Sequence, residues 1–212
     1  MSDLTKATIE TLIMTISSLF LSYLFAIPLA IITNETNEKG LFPNKVINLI
    51  CNVIIGTGRA IPFTILMVLV LPLTRILVGT GVGTIAVIVP LTISAIPFVA
   101  RVIEQSLSQV TKDVVEAAKI DGANKARIIF KIKFGHRLYD IMDSVGITSI
   151  AIISYTAMSG AVGGGGLGSY ALTHGFYRYD WIKVLWATII IIIIVCLFQT
   201  ISKGISKLLD WR

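Results

Sequence analysis

Residues 181–201 carry a single charge, Lys183, and six consecutive isoleucines, Ile189 to Ile194. A stretch this long and this apolar is a membrane span, since a helix rising 1.5 Å per residue crosses ~30 Å of hydrocarbon over that length. Four more stretches read the same way, at 11–32, 46–73, 82–100 and 144–162. The expected fold is therefore all-α, a polytopic membrane protein with five transmembrane helices.

Composition agrees. The 212 residues are 55% hydrophobic and 14% charged, against roughly 25% charged in soluble domains. The net charge of +6 does not mark a nucleic-acid-binding protein, because the basic residues lie between spans, where cytoplasmic loops concentrate them. The N-terminus offers Asp3, Lys6 and Glu10 rather than a basic leader, and no small-residue cleavage site follows. A spanning helix is expected there, not a signal peptide. Cys51 and Cys196 sit singly in apolar runs, without metal-ligand spacing, and read as buried packing residues.

Five spans place the loop 33–45, the insert 101–137 and the C-terminal tail on one side. The loop and tail carry Lys39, Lys45, Lys203, Lys207 and Arg212. The insert adds Arg101, Lys112, Lys119, Lys125, Arg127, Lys131, Lys133 and Arg137, whereas the opposite side keeps Lys6, Arg75, Arg178 and Lys183. This imbalance predicts a cytoplasmic insert and C-terminus, and an outer N-terminus. Tyr177, Tyr179, Trp181 and Trp211 fall near predicted span ends, as an interfacial aromatic belt would. The second stretch is interrupted by GTGRAIPF, which predicts a kink or break at 56–62. Broken backbone at membrane depth survives only where it packs on protein or lines a cavity.

Missing residues constrain the function. No Asp or Glu occurs in 39–103, 144–179 or 181–209. Proton relays and many cation-coupled carriers place a carboxylate within the spans, so the sequence argues against secondary transport. The dipeptide Gly-Lys is absent, so no phosphate-cradling G-x-x-x-x-G-K-[ST] loop exists and the chain does not itself hydrolyse nucleotide. Any pumping draws its work from a partner.

The insert contains EAAKIDGANKARIIF, from Glu116 to Phe130. Ser108 or Thr111 can cap a first helix through KDVVEAAKI, with Val114, Ala117, Ala118 and Asp121 at helical spacing on a shallow face. Gly122 supplies a sharp turn. Asn124 can cap a second helix, KARIIFKIKF, whose Ile128, Ile129 and Ile132 lie on a surface while Lys125, Arg127, Lys131 and Lys133 take the solvated side. One reading is a hairpin that merely joins two spans. The sharper reading is a docking element, since small side chains let another protein approach closely and a short turn fixes the interhelical angle.

That segment resembles the EAA motif of ABC-importer membrane subunits. GRAIPFTILMVLVLPLTRILVGT, AVIVPLTISAIPFVARVIE and SYTAMSGAVGGGGLG are similar to the methionine-importer branch of the same family. The resemblance implies a type I importer core over 8–202, with a coupling segment at 108–135 between the third and fourth spans. It implies a second copy of the chain, two ATPase subunits that bind ATP and Mg²⁺, an extracytoplasmic substrate-binding protein, and a bacterial inner membrane; this chain itself is expected to hold no cofactor or metal. Glu116, Ala117, Ala118, Asp121, Gly122 and Ala123 would seat in the ATPase. The family motif usually closes with I-x-L-P, whereas this chain reads Ile132, Lys133, Phe134, Gly135, which leaves the helix exit less rigidly defined.

The resemblance also places the stretch around Met158 on the translocation path, with Met158 as a gate and Tyr155 and Ser159 bordering it. A packing Met on a helix–helix contact is the alternative. Arg59 lies deep in the second stretch, where it can meet a substrate carboxylate, satisfy carbonyls freed near Pro62, or snorkel. Gly160, Gly163, Gly164, Gly165, Gly166 and Gly168 suit a re-entrant turn or close helix packing. His136 and His174 read as surface residues. The expected function is an ATP-driven methionine importer subunit; another amino acid or a small peptide, an ion-coupled carrier or channel, and a passive membrane scaffold are the alternatives.

Overall fold

The computed structural model describes residues 3–209, which are helical apart from short connections, with no strand among them. Trp211 and Arg212, invoked above for the aromatic belt and the basic tail, lie outside the described residues. Helices α1 (Asp3–Thr36), α5 (Thr84–Ser108), α9 (Leu138–Ser159) and α11 (Trp181–Leu209) are each long and apolar enough to cross a membrane. Helix α2 (Lys45–Ala60) and α3 (Phe63–Leu69) make a fifth candidate, bent by 108° between them.

The bend has a local cause. Pro62 lacks an N–H and disfavours helical backbone at the residue before it, and Ile61 is extended at φ −78, ψ 122. The break expected within 56–62 therefore falls at its far end. Helix α4 (Leu71–Val78) follows, and Gly79 at φ +81 ends it.

Helix α1 overruns its expected limits of 11–32 at both ends. Thr33 and Thr36 donate their hydroxyls to the carbonyls of Leu29 and Ile32, each at 2.7 Å, so these polar residues stay helical and buried. The connection to α2 shortens to 37–44. In the fold α1 packs against α5, α9 and α2. One apolar cluster joins Met14, Leu19, Leu91 and Ile152; a second joins Ala26, Ala30, Ile55, Val99 and Ile141.

Buried hydroxyls mostly bond within their own helix. Thr11 and Thr15 donate to Ala7 and Thr11 carbonyls at 3.0 and 2.8 Å. The α9–α11 contact differs: Ser202 donates to the Met142 carbonyl at 2.5 Å and accepts from the Gly146 amide at 3.0 Å, while Ser206 donates to the Tyr139 carbonyl at 3.2 Å. Small residues let these backbones approach. Leu49 and Val53 on α2, and Ile192 and Leu197 on α11, are exposed, an apolar surface that lipid or another subunit covers. Cys51 is buried as expected, but Cys196 is exposed on α11; packing on the protein interior is not its role.

Candidate functional site

The insert folds as a helix, a glycine turn and a second helical rod. Helix α6 spans Lys112–Ile120. Neither expected cap holds it by a side chain: Ser108 is the last residue of α5, and Thr111 stands at the cap position without a side-chain hydrogen bond. At the other end the amides of Asp121, Gly122 and Ala123 donate to the carbonyls of Ala117, Lys119 and Ala118 at 2.9–3.0 Å. Gly122 has φ +78, a conformation that glycine adopts without a Cβ clash. Asn124 then caps the second rod as expected, its Oδ1 accepting from the Arg127 amide at 2.8 Å.

The rod runs through α7 (Lys125–Arg127), a π-helical stretch Ile128–Lys133 and α8 (Phe134–His136). It does not stop at Phe134-Gly135; it continues to His136 and turns at Arg137. Arg137 closes the base of the insert by donating to the Gln109 carbonyl and side chain, both at 3.0 Å, and to Asp140 at 3.1 Å.

The expected solvated position of Lys133 is wrong. It is buried at 7% exposure, and its Nζ donates to Glu35 Oε1 at 2.6 Å and Asn34 Oδ1 at 3.2 Å. A π-helical turn bonds i to i+5, as the Phe134 amide does to the Ile129 carbonyl. Lys133 follows Ile129, also buried, by one helical turn, so its spacing sets it on the inner side and its charge alone pointed to solvent.

Glu116, Ala117, Asp121 and Gly122 are exposed, Ala123 is half-buried, and Ala118 faces inward. Beside them Ile120 is 86% exposed and Phe130 61% exposed. These two apolar side chains at the charged end of the molecule were not singled out from the sequence. The signal was available, since Ile120 falls off the Val114–Ala117–Ala118 face.

The second candidate region lies along α9. Ile147, Ser154 and Met158 are exposed and share one helical face, with Met158 at 46% exposure. Tyr155 is half-buried and stacks on Phe63, with ring centroids 4.6 Å apart and planes within 10°. Phe63 is the first residue past the α2–α3 bend, and Arg59 is exposed on the last turn before it. Ser159 is fully buried. Its hydroxyl donates to the Thr156 carbonyl at 2.8 Å and its carbonyl accepts from the Gly164 amide at 3.0 Å.

The glycines turn the chain and let backbones approach closely. Gly163, Gly165 and Gly166 have φ of +81, +78 and +74 and reverse the chain into α10 (Gly166–Tyr170). A Cβ on Gly160 would overlap the backbone of Ser169, and one on Gly168 that of Ala157. Helix α1 holds this turn: Glu10 Oε2 accepts from the Gly166 amide and Thr11 Oγ1 from the Leu167 amide, both at 2.8 Å. Nothing in the sequence pairs residues so far apart. His174 stacks on Tyr170 at 4.9 Å and bonds Thr173 at 2.9 Å. Among the described residues no group of three or more His, Cys, Asp or Glu is placed to hold a metal.

The family described as binding-protein-dependent transport system inner membrane component matches residues 26–212. The chain belongs to that family. A Vibrio cholerae protein named probable D-methionine transport system permease protein MetI is 41% identical over 99% of this permease and 93% of its own length. A Bacillus subtilis protein named methionine import system permease protein MetP is 38% identical over 84% and 80%. A structure described as an inward facing conformation of the MetNI methionine ABC transporter superposes with TM-score 0.95 at 32% identity, covering 99% of this permease and 97% of that chain. An amino acid ABC transporter crystallised with histidines, at 18% identity and TM-score 0.78, shares the fold. The permease is thus an inner-membrane, multi-pass subunit of an ABC importer, a transport component rather than an enzyme.

Proposed function

We propose that this permease forms the translocation path of a methionine importer, working as a pair with two cytosolic ATPases and an outer substrate-binding protein. The observation that carries this reading is the exposed helix–turn–helix of the insert. Its small-residue face and the apolar tips Ile120 and Phe130 stand at the basic end of the molecule, next to the loop 37–44. Similarity over nearly the whole chain to proteins named for methionine transport supports the substrate.

On this reading Glu116, Ala117, Asp121 and Gly122, with Ala123 at their edge, seat in the ATPase, with the insert cytoplasmic and the N-terminus outside; Ala118, expected among them, packs inward and supports that face instead. ATP, with Mg²⁺, binds on the partner and favours one arrangement of the spans. Moving the equilibrium from 1:99 to 99:1 takes ~5.5 kcal/mol of differential binding, well within the reach of nucleotide binding and ATPase closure together. Met158 narrows the path from α9, while Tyr155, fixed by Phe63, ties that face to the broken span. Arg59 presents its charge at the bend, where a substrate carboxylate can pass. Ser159 supports the turn beneath Met158 rather than facing the path.

Reconstitution in liposomes tests the proposal: uptake of labelled L- and D-methionine strictly dependent on ATP, the ATPase and the binding protein is the expected result. Uptake driven by an ion gradient without the ATPase overturns it. Equal or better uptake of another amino acid overturns the substrate alone.

A further inference from the structure

The insert is joined in sequence to α5 and α9, yet its strongest side-chain attachment is to α1. Lys133 and Glu35 form an ion pair at 2.6 Å, with side chains only 9% and 5% exposed. Asn34 accepts a second bond from the same ammonium. Glu35 is itself held in place, because its Oε2 accepts from the Leu41 amide at 3.1 Å and its carbonyl accepts from the Phe42 amide at 3.0 Å. A second contact joins the same two segments, with Lys125 Nζ lying 4.2 Å from the centroid of the Phe42 ring.

We infer that Lys133 and Glu35 are positioning residues that carry displacement of the docked insert into α1, the helix around which α2, α5 and α9 pack. This inference deepens the proposed function and rests on its assignment of the insert as the ATPase-docking element. The physical ground is the asymmetry of a buried pair. Separating the charges leaves each unpaired in a low-dielectric site, at a cost far above that of moving the partners together. The second rod and the inner end of α1 are therefore bound to travel as one body, while the exposed face of α6 remains free to seat in a partner. The Phe42–Lys125 contact, between exposed side chains, adds a second and weaker attachment, from the rod to the loop that follows α1.

The experiment uses the complete transporter in proteoliposomes, reading methionine uptake, ATP hydrolysis and ATPase co-purification from the same preparation. Lys133→Met and Glu35→Gln each remove one charge and leave the docking face untouched. The expected result is retained ATPase association with uptake per ATP lowered roughly two- to thirtyfold, the range over which network residues tune coupling. Lys133→Arg should recover most of the loss. Normal uptake per ATP in the single variants overturns the inference, and so does loss of uptake strictly in proportion to ATPase association, which marks a merely structural pair.

Cross-linking keeps the question open to test if those variants fail to assemble. In a background lacking Cys51 and Cys196, Phe42→Cys with Lys125→Cys joined by a short reagent should leave uptake unchanged, because the joined segments already move together. Abolished uptake on cross-linking, restored by a cleavable reagent, overturns the inference. The parent complex separates the two levels of failure. If it imports without ATP, the docking assignment itself fails; if it is strictly ATP-dependent while the variants couple normally, only the tie fails.

Discussion

At one end α1 presents Glu10 to a backbone amide of the glycine turn; at the other it presents Glu35 to the ammonium of Lys133. The first contact belongs to a region where backbones touch and no side chain fits between them. The second belongs to a region where one buried side-chain pair bridges segments whose other faces are largely exposed. The same helix thus ends in a close-packed clamp and in a charged tie. Close packing tolerates little relative displacement, whereas a charged tie moves its partners as a unit. The difference predicts that the two ends fail differently when altered, the clamp through assembly and the tie through coupling.

The largest expected effect falls on the clamp. Gly160→Val drives a branched side chain into the Ser169 backbone, and the protein should fail to accumulate in the membrane, as followed by detergent-solubilised size-exclusion chromatography. A variant that assembles normally would break the comparison. Gly122→Val comes next. No atom crowds a Cβ there, so the penalty is the positive φ alone, about 1–2 kcal/mol. Membrane insertion should persist while ATPase association or uptake is lost; normal import would detach the turn from docking.

Glu10→Gln keeps an acceptor but removes its charge. A charge-assisted bond contributes about 1 kcal/mol more than a neutral one, so melting should fall by a few degrees with uptake per ATP unchanged. A change in that ratio would show that the glycine end also transmits motion. The smallest effect belongs to Asp180, which is half-buried at the surface and whose carboxyl is held below the usual range mainly by a hydrogen bond from Lys183. Because its folded value is depressed, its contribution is present above the ordinary carboxylate range and is lost as pH falls through the lowered value. Asp180→Asn should leave melting at neutral pH indistinguishable from the parent.

Much of this arrangement was legible in the residues. Pro62 breaks the second span, Gly122 turns the insert and Asn124 caps its second rod because each acts through local backbone chemistry. Lys133 reads as solvated from its charge, although it lies one turn past the buried Ile129; the carboxylate that lets it stay inside, Glu35, is 98 residues away. Residues 33–36 look like loop by composition, but threonine hydroxyls bonding back to the helix keep α1 going. Ser159 reads as path-lining from its place beside Met158, yet the turn into the glycines buries it. Glu10 and Thr11 were missed because their partners lie 156 residues away; no spacing rule reaches that far.

The hydroxyls along α1 have a consequence of their own. Thr11, Thr15 and Thr33 donate to carbonyls of their own helix, so those bonds do not oppose a shift of α1; the bond Thr11 accepts from the Leu167 amide, and those of the Tyr23 hydroxyl to Ser144 and Thr148 on α9, do. Where Ser202 and Ser206 reach across to α9, the same kind of displacement would strand polar groups in hydrocarbon. The first helix is thus greased along its threonine rows but riveted at single points, whereas α11 carries its rivets in a row against α9.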